Sequence, residues 1–346
     1  MNSEILLSVV IPCYNEEETI RELLESLYAQ DFPHQALEVV IADGMSTDGT
    51  RQEIMTFQAE HSDFQIVLID NPDRTIPAAL NRALAAAQGK YLLRLDAHVS
   101  PHEGYLRKSL QALEAGRGDN VGGVVEMRPG ADTWVGRSIA VAVAHPLGVG
   151  DARYRIGSQA RAVDTVPFGA YHRSLIAEIG PYDESLLSNE DYEFNVRVRK
   201  AGGVVWLDPA IRSTYVSRAD FRRLAKQYWR YGYWKLRMLL KHPDTFRWRQ
   251  LSGGFVLSWL LLGTLSLWYP LARILLAAEA LIYGGALAAV GISSAVKYRE
   301  GKLGLGVPVA VGLMHFSWGS GFLWSGLKAG TAAVVSLFTT DDDSQQ

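Results

Sequence analysis

Between residues 5 and 130 the chain repeats one pattern: a short apolar run, a polar cluster, then an amphipathic stretch. The runs are LLSVVIP, LEVVIAD, FQIVLID and KYLLRLDAH, and the stretches between them are NEEETIRELLESLYAQ, TDGTRQEIMTFQAEH and IPAALNRALAAA. In the first stretch Ile20, Leu23, Leu24 and Leu27 follow the i, i+3, i+4, i+7 spacing of a helix with one buried face. Asn15 with Glu18 three residues later predicts a capping box, and the acidic run suits a helix N-terminus. Strands and helices alternating over short connections predict an α/β fold with a mostly parallel sheet covered on both faces. Ligands of such sheets bind beyond the carboxyl ends of the strands. CYNEE, ADGMSTDG and DAH fall at those ends, so three polar clusters are expected to converge on one edge.

Past Leu251 the chemistry changes. Three apolar stretches follow, GGFVLSWLLLGTLSLWY, ILLAAEALIYGGALAAVGISSAV and LGLGVPVAVGLMHFSWGSGFLWSGL. Each approaches the roughly 20 residues that cross a bilayer. Trp259, Trp268, Tyr269, Trp318 and Trp324 suit interfacial or packing positions. Three spans are predicted, the third Gly-rich and partly re-entrant; a hydrophobic soluble helical domain is the alternative. The basic KYREGK loop is expected on the cytosolic side. Ahead of the first stretch lies RADFRRLAKQYWRYGYWKLRMLLKH, basic and aromatic, which suits an interface with anionic headgroups. Its place beside a span favours lipid over nucleic acid. The formal net charge of −3 excludes a polyanion binder as a whole, and the single cysteine, Cys13, excludes an intramolecular disulfide. The N-terminus lacks a basic n-region, so it reads as a first strand and not as a signal peptide.

Asp96 and His98 end an apolar run. In a strand, residues i and i+2 face one side, so both side chains would address one metal-bound ligand. Carboxylate and imidazole suit Mn²⁺, while Mg²⁺ prefers oxygen and water. Alone, Asp-x-His reads more simply as a strand turning polar at the surface. Here it stands third in a series of four, VVIPCYNEEETI, IADGMSTDGT, LDAH and NEDYEFNVRVRKAG. In order and spacing these resemble family 2 glycosyltransferases of the GT-A fold, over about residues 5 to 235. With the apolar C-terminal part and MHFSWGSGFL near the end, the chain is most similar to the bacterial members of succinoglycan-type exopolysaccharide assembly.

The resemblance implies roles for particular residues. Pro12, Tyr14, Asn15 and Glu16 would border the base and ribose of a nucleotide, and Asp43 would accept a hydrogen bond from the base. Where the family often carries a second acid, this chain has Gly44. Asp48-Gly49 reads as a turn leading into a helix. Arg74 and Asn81 stand where a donor contact is common, and Asn81 reads equally as a helix surface residue. Asp96 and His98 would hold a divalent cation, Mn²⁺ or Mg²⁺, against the nucleotide diphosphate; His98 departs from the commoner aspartate and would favour Mn²⁺. Asp191 would be the general base, with Glu190 orienting the acceptor or the loop. Two acids opening a helix also have a plain explanation in the macrodipole. Gln227, Arg230 and Tyr231 resemble a Gln-x-x-Arg-Trp motif near the diphosphate and acceptor, with Tyr231 in place of Trp. The loop GVGDARYRIGSQ, with Arg153 and Arg155, reads either as a cover for bound phosphates or as a plain surface loop.

The expected organisation is a cytosolic GT-A domain (1–215), basic interfacial helices (216–250), a transmembrane region (251–330) and a tail (331–346). The expected activity is inverting, metal-dependent transfer of one sugar from a UDP-sugar donor to a polyprenyl-diphosphate-linked saccharide at the bacterial inner membrane. Two alternatives remain: a polyprenyl-phosphate glycosyltransferase, and a non-catalytic nucleotide-binding membrane scaffold.

Overall fold

The structure is a computed structural model that describes residues 5–157 and 159–339. They form two compact units, one comprising the chain through Arg128 together with 151–216, the other 129–150 together with the chain from Ser217 onward.

The first unit opens with β1 (Leu7–Cys13), α1 (Ile20–Tyr28), β2 (Leu37–Asp43), α2 (Thr50–Glu60), β3 (Gln65–Asp70), α3 (Ile76–Ala86) and β4 (Tyr91–Arg94). It continues through β5 (Val99–Pro101), α4 (Tyr105–Glu114) and β6 (Asn120–Arg128). The chain then supplies α5 (Trp134–Ala142) and α6 (Pro146–Val149) to the second unit. It resumes with α7 (Arg153–Ile156), β7 (Arg161–Ala162), β8 (Ala170–His172), α8 (Ser174–Ile179), α9 (Glu190–Lys200) and β9 (Val205–Val216). The strands make one sheet in the order β3-β2-β1-β4-β8-β6-β9-β5, with β7 paired to β9. The β3-β2-β1-β4 half is parallel, as is β6 with β9, while β8 runs antiparallel to both of its neighbours.

All seven residues of β1 and of β2 are buried, because helices cover both faces. Successive side chains divide between two cores, as a period of two requires. Val9 and Ile11 pack with Leu24, Phe57 and Leu106, whereas Val10 packs with Val40, Leu80, Leu92 and Phe194. Two local expectations fail. The first helix begins at Ile20 with Thr19 as N-cap, so Asn15 and Glu18 form no capping box; Asn15 is drawn into the neighbouring loop. The fourth strand stops at Arg94, and the Val99 N–H donates to the Asp96 carbonyl at 3.1 Å. Asp96 and His98 therefore share a turn and not a strand face.

The second unit contains α5, α6, α10 (Phe221–Lys241), α11 (Ser252–Leu265), α12 (Pro270–Tyr298) and α13 (Leu303–Thr339). The last seven residues of the expected tail, 340–346, lie outside the described residues. Two helical segments are long and apolar enough to cross a membrane, Pro270–Tyr298 and Leu303–Thr331. The first of the three expected spans is corrected: α11 has 14 residues, a length of about 21 Å against a hydrocarbon core of about 30 Å. The Gly-rich stretch expected to re-enter is instead continuous helix. Leu271, Ile274, Leu281 and Ile282 of α12 are exposed in the protein alone, an apolar surface of the kind that lipid would cover.

Basic α10 is amphipathic, and it packs on α13 through small residues. A Cβ on Gly232 would stand 1.9 Å from the Trp318 carbonyl oxygen, and one on Gly321 would stand 2.1 Å from that of Trp229. Only glycine allows so close a backbone approach. Residues 129–150 are fastened to the same helices. Arg137 of α5 donates to both carboxylate oxygens of Glu300 at 2.9 and 3.0 Å. His315 Nε2 donates to the Leu147 carbonyl at 2.8 Å, while its Nδ1 meets the Tyr283 hydroxyl at 3.0 Å. Gly232→Val is expected to destabilise this unit by about 1–3 kcal/mol through overpacking, read as a lower thermal midpoint in detergent. Gly284→Ala, whose added Cβ meets nothing within 4 Å, should not lower the midpoint.

Candidate active site

Several residues beyond the carboxyl ends of the parallel strands adopt left-handed backbone conformations without being glycine. Asn15 (φ 53°) follows β1, Met45 (φ 60°) follows β2, Arg74 (φ 54°) follows β3, and Asn189 (φ 66°) precedes α9. Such geometry persists only where surrounding contacts hold it, and it gathers at functional sites. Here the contacts run between loops. The Asn15 N–H donates to Ser46 Oγ at 2.8 Å, and the Thr47 N–H donates to Asn15 Oδ1 at 2.9 Å. The Glu16 N–H reaches Thr50 Oγ1, and the Gly49 N–H reaches Glu17 Oε2.

Asp43 is fully buried. It accepts from the Ser46 N–H and hydroxyl, and from Arg51 Nη1 at 2.8 Å. The same Arg51 nitrogen donates to Asp70 at 2.8 Å, tying the ends of β2 and β3. Asp43 therefore organises this loop, and the base contact expected of it would need Ser46 or Arg51 to yield. Beside it, a Cβ on Gly44 would lie 3.1 Å from two Tyr14 side-chain atoms. This crowding accounts for glycine where an acid is common. Tyr14 itself is exposed, and Pro12 is buried within β1. Asp48 accepts from the Thr50 N–H and hydroxyl, the turn expected ahead of α2. Asn81 is engaged with Tyr182 and Glu184, a link from α3 to the segment before α9.

Asp96 Oδ1 accepts from Arg94 Nη2 at 3.1 Å, while Oδ2 has no protein hydrogen bond among the described residues; the side chain is 21% exposed. His98 Nδ1 pairs with Glu16 Oε1 at 2.9 Å, and its ring meets Tyr215 edge-on with centroids 5.0 Å apart. Burial disfavours the imidazolium, but the Glu16 hydrogen bond and the nearby negative groups outweigh that and raise its pKa to about 9. Glu16, expected to border the nucleotide, is thus the partner of His98. A ring nitrogen fixed by a carboxylate, leaving Nε2 without a hydrogen bond among the described residues, is the arrangement common at metal-ligating histidines. With the open Asp96 oxygen, these donor types suit a divalent cation once the imidazolium gives up its proton. No group of three or more His, Cys, Asp or Glu is placed to hold a metal among the described residues. The remaining ligands would have to come from substrate and water.

Arg94, the residue that sequence reasoning missed, is 5% exposed and donates through Nη2 to Glu190 Oε1 at 2.9 Å. The available signal was a charge inside YLLRL, since a buried guanidinium is stable only when paired with acids. Burial raises the Glu190 pKa, Arg94 opposes this, and Asp191 adds to it. Asp191, at the second position of α9, is half-buried, and its Oδ1 accepts from the Tyr192 N–H at 2.7 Å. The two acids therefore differ: Glu190 faces inward to Arg94, and Asp191 keeps some exposure. Gln227, Arg230 and Tyr231 belong to the second unit, where Gln227 Nε2 donates to the Tyr231 hydroxyl at 2.8 Å and Arg230 is exposed.

The mixed sheet has the GT-A fold of glycosyltransferases. The chain belongs to glycosyl transferase family 2, whose pattern matches residues 8–180. It is 31% identical over 339 residues to the succinoglycan biosynthesis protein ExoA of Rhizobium meliloti strain 1021, covering 93% of this chain and 96% of that one. It is 27% identical over 248 residues to the dolichyl N-acetyl-α-D-glucosaminyl phosphate 3-β-D-2,3-diacetamido-2,3-dideoxy-β-D-glucuronosyltransferase of Methanococcus voltae, covering 70% of this chain and 76% of that one. Among solved structures, the mannosyltransferase PcManGT from Pyrobaculum calidifontis, in complex with GDP-Man and Mn²⁺, superposes with a TM-score of 0.55 at 21% identity, covering 89% of this chain and 86% of that one. TarS 1–349 of S. aureus in complex with UDP gives 0.51 at 19% identity, covering 91% and 90%. These likenesses show the fold. Glu190 and Asp191 lie beyond the matched family region.

Asn189→Ala should destabilise the protein by about 1 kcal/mol, because alanine tolerates the left-handed region less well than asparagine. Asn189→Gly should cost less than Asn189→Ala. Thermal melts of the pair check this.

Proposed function

We propose that this protein is an inverting, metal-dependent glycosyltransferase that moves one sugar from a nucleotide donor, UDP-linked, to a polyprenyl-diphosphate-linked saccharide at the membrane surface. The observation that carries this reading is the turn after β4. It offers one open carboxylate oxygen on Asp96 and one open ring nitrogen on His98, and Arg94 joins it to the helix that bears Asp191. Nucleotide or nucleotide-sugar ligands in the superposed structures, GDP-Man in one and UDP in the other, support a nucleotide-sugar donor. The Mn²⁺ of the first supports a divalent cation.

In this reading Asp96 and His98 hold the cation. A bound cation would offset the negative charge that develops on the departing nucleoside diphosphate. Asp191 accepts the proton of the acceptor hydroxyl as its oxygen bonds to the anomeric carbon. The bond from that carbon to the diphosphate oxygen breaks in the same displacement, so the anomeric centre inverts. The sewn loops 13–17 and 43–50 hold the nucleotide, with Tyr14 exposed beside it. Helices α12 and α13 anchor the protein in the inner membrane, and basic α10 meets anionic headgroups on the cytosolic side. The relative from Methanococcus voltae, whose name places its acceptor sugar on a dolichyl phosphate, supports a lipid-linked saccharide as acceptor.

Membranes containing the wild type should transfer label from a nucleotide sugar to a lipid extract when Mn²⁺ or Mg²⁺ is present, and a chelator should stop it. Asp191→Asn should lower the rate by about 10²-fold or more. Undiminished transfer by Asp191→Asn would instead indicate a phosphate acceptor, a nucleophile that needs little help from a base.

A further inference from the structure

One nitrogen of Arg94 serves two carboxylates whose residues lie far apart in sequence. Nη2 donates to Asp96 at 3.1 Å and to Glu190 at 2.9 Å. Arg94 is the last residue of β4, and its N–H is fixed to the Gly169 carbonyl at 3.0 Å. The guanidinium thus stands on a central strand of the sheet. Arg94 and Glu190 are 5% and 6% exposed, so solvent screens their interaction weakly. Arg94 Nη1 is buried with no hydrogen-bond partner among the described residues. The arginine therefore depends on these two acids for its satisfaction.

Behind its first turn α9 is held firmly. Asn195 donates to the Val166 carbonyl and the Thr165 hydroxyl, and Arg197 donates to the carbonyls of Gly180 and Pro181. The Tyr182 ring lies 5.9 Å from the Arg94 guanidinium and stacks on Phe194 of α9, with centroids 4.7 Å apart. Glu190, the first residue of α9, is where that helix meets Arg94.

We propose that Arg94 is a positioning residue that couples the donor half of the site to the acceptor half, by dividing one guanidinium between Asp96 and Glu190. This rests on the reading of Asp96 as a cation ligand. With a dication held on its open oxygen, Asp96 would draw less on Arg94, which would then bind Glu190 more strongly and set the turn that carries Asp191. Donor binding thereby prepares the base before an acceptor arrives. Linkage makes the effect reciprocal: a change at Glu190 must alter the affinity for cation and nucleotide.

The test is binding of UDP and of GDP to detergent-purified full-length protein by calorimetry, with and without Mn²⁺, and with no acceptor present. Glu190→Gln leaves Arg94 to neutralise Asp96 more completely. It should weaken Mn²⁺-dependent nucleotide binding by about fivefold or more. In an Arg94→Met background the same change should have almost no effect. Equal losses in both backgrounds would overturn the coupling and leave Arg94 a structural residue. Should Arg94→Met not fold, Glu190→Gln alone decides: a loss confined to Mn²⁺-containing buffer supports the coupling, and an equal loss without Mn²⁺ overturns it. If the wild type binds neither nucleotide in a Mn²⁺-dependent way, the reading of the site fails, and the coupling with it.

Discussion

The central parallel strands are covered on both faces, and this constraint governs where polar chemistry can stand. Every residue of β1 and β2 is buried. An unpartnered polar side chain inside them would cost several kcal/mol. Polar groups therefore collect where the strands end, in the loops after Cys13, Asp43, Asp70 and Arg94. Backbone strain collects there too, at Asn15, Met45 and Arg74. The loops hold these conformations because they bond to one another: Asn15 to Ser46 and Thr47, and Glu16 to Thr50.

Charge within this edge follows one device used twice. Arg51 places one nitrogen between Asp43 and Asp70, and Arg94 places one between Asp96 and Glu190. Each arginine joins acids from separate loops, and each offsets the desolvation cost of one buried acid, Asp43 or Glu190. Their consequences differ. Asp43 is fully enclosed and acts on loop shape, whereas Asp96 retains an open oxygen. The proposed function draws on that difference, with Asp96 as an open ligand and Arg94 joining it to the helix that bears Asp191.

The second unit solves a different problem, the close packing of long apolar helices. Glycine at 232 and 321 brings α10 and α13 to backbone contact, and polar bonds through Arg137 and His315 tie residues 129–150 to α12 and α13. His315 lies in the MHFSWG stretch that set the chain apart at sequence level, and both of its ring nitrogens are engaged. That segment is accordingly part of how the unit is held together.

Sequence by itself determined the alternating strands and helices, the polar edge at their carboxyl ends and the apolar character after Leu251, because each depends on local periodicity and composition. The resemblance carried by four ordered motifs added the family. Tertiary structure alone decided what depends on distant partners. Asp96 and His98 meet in a turn, since the strand ends early. Glu16 turns to His98, a residue 82 positions away, and Asp43 is enclosed by Ser46 and Arg51. Arg94 reads in sequence as one charge in an apolar run. Its meaning appears only when folding brings Glu190, 96 residues later, within 2.9 Å, because a buried charge takes its role from the groups that neutralise it, and spacing along the chain does not encode them.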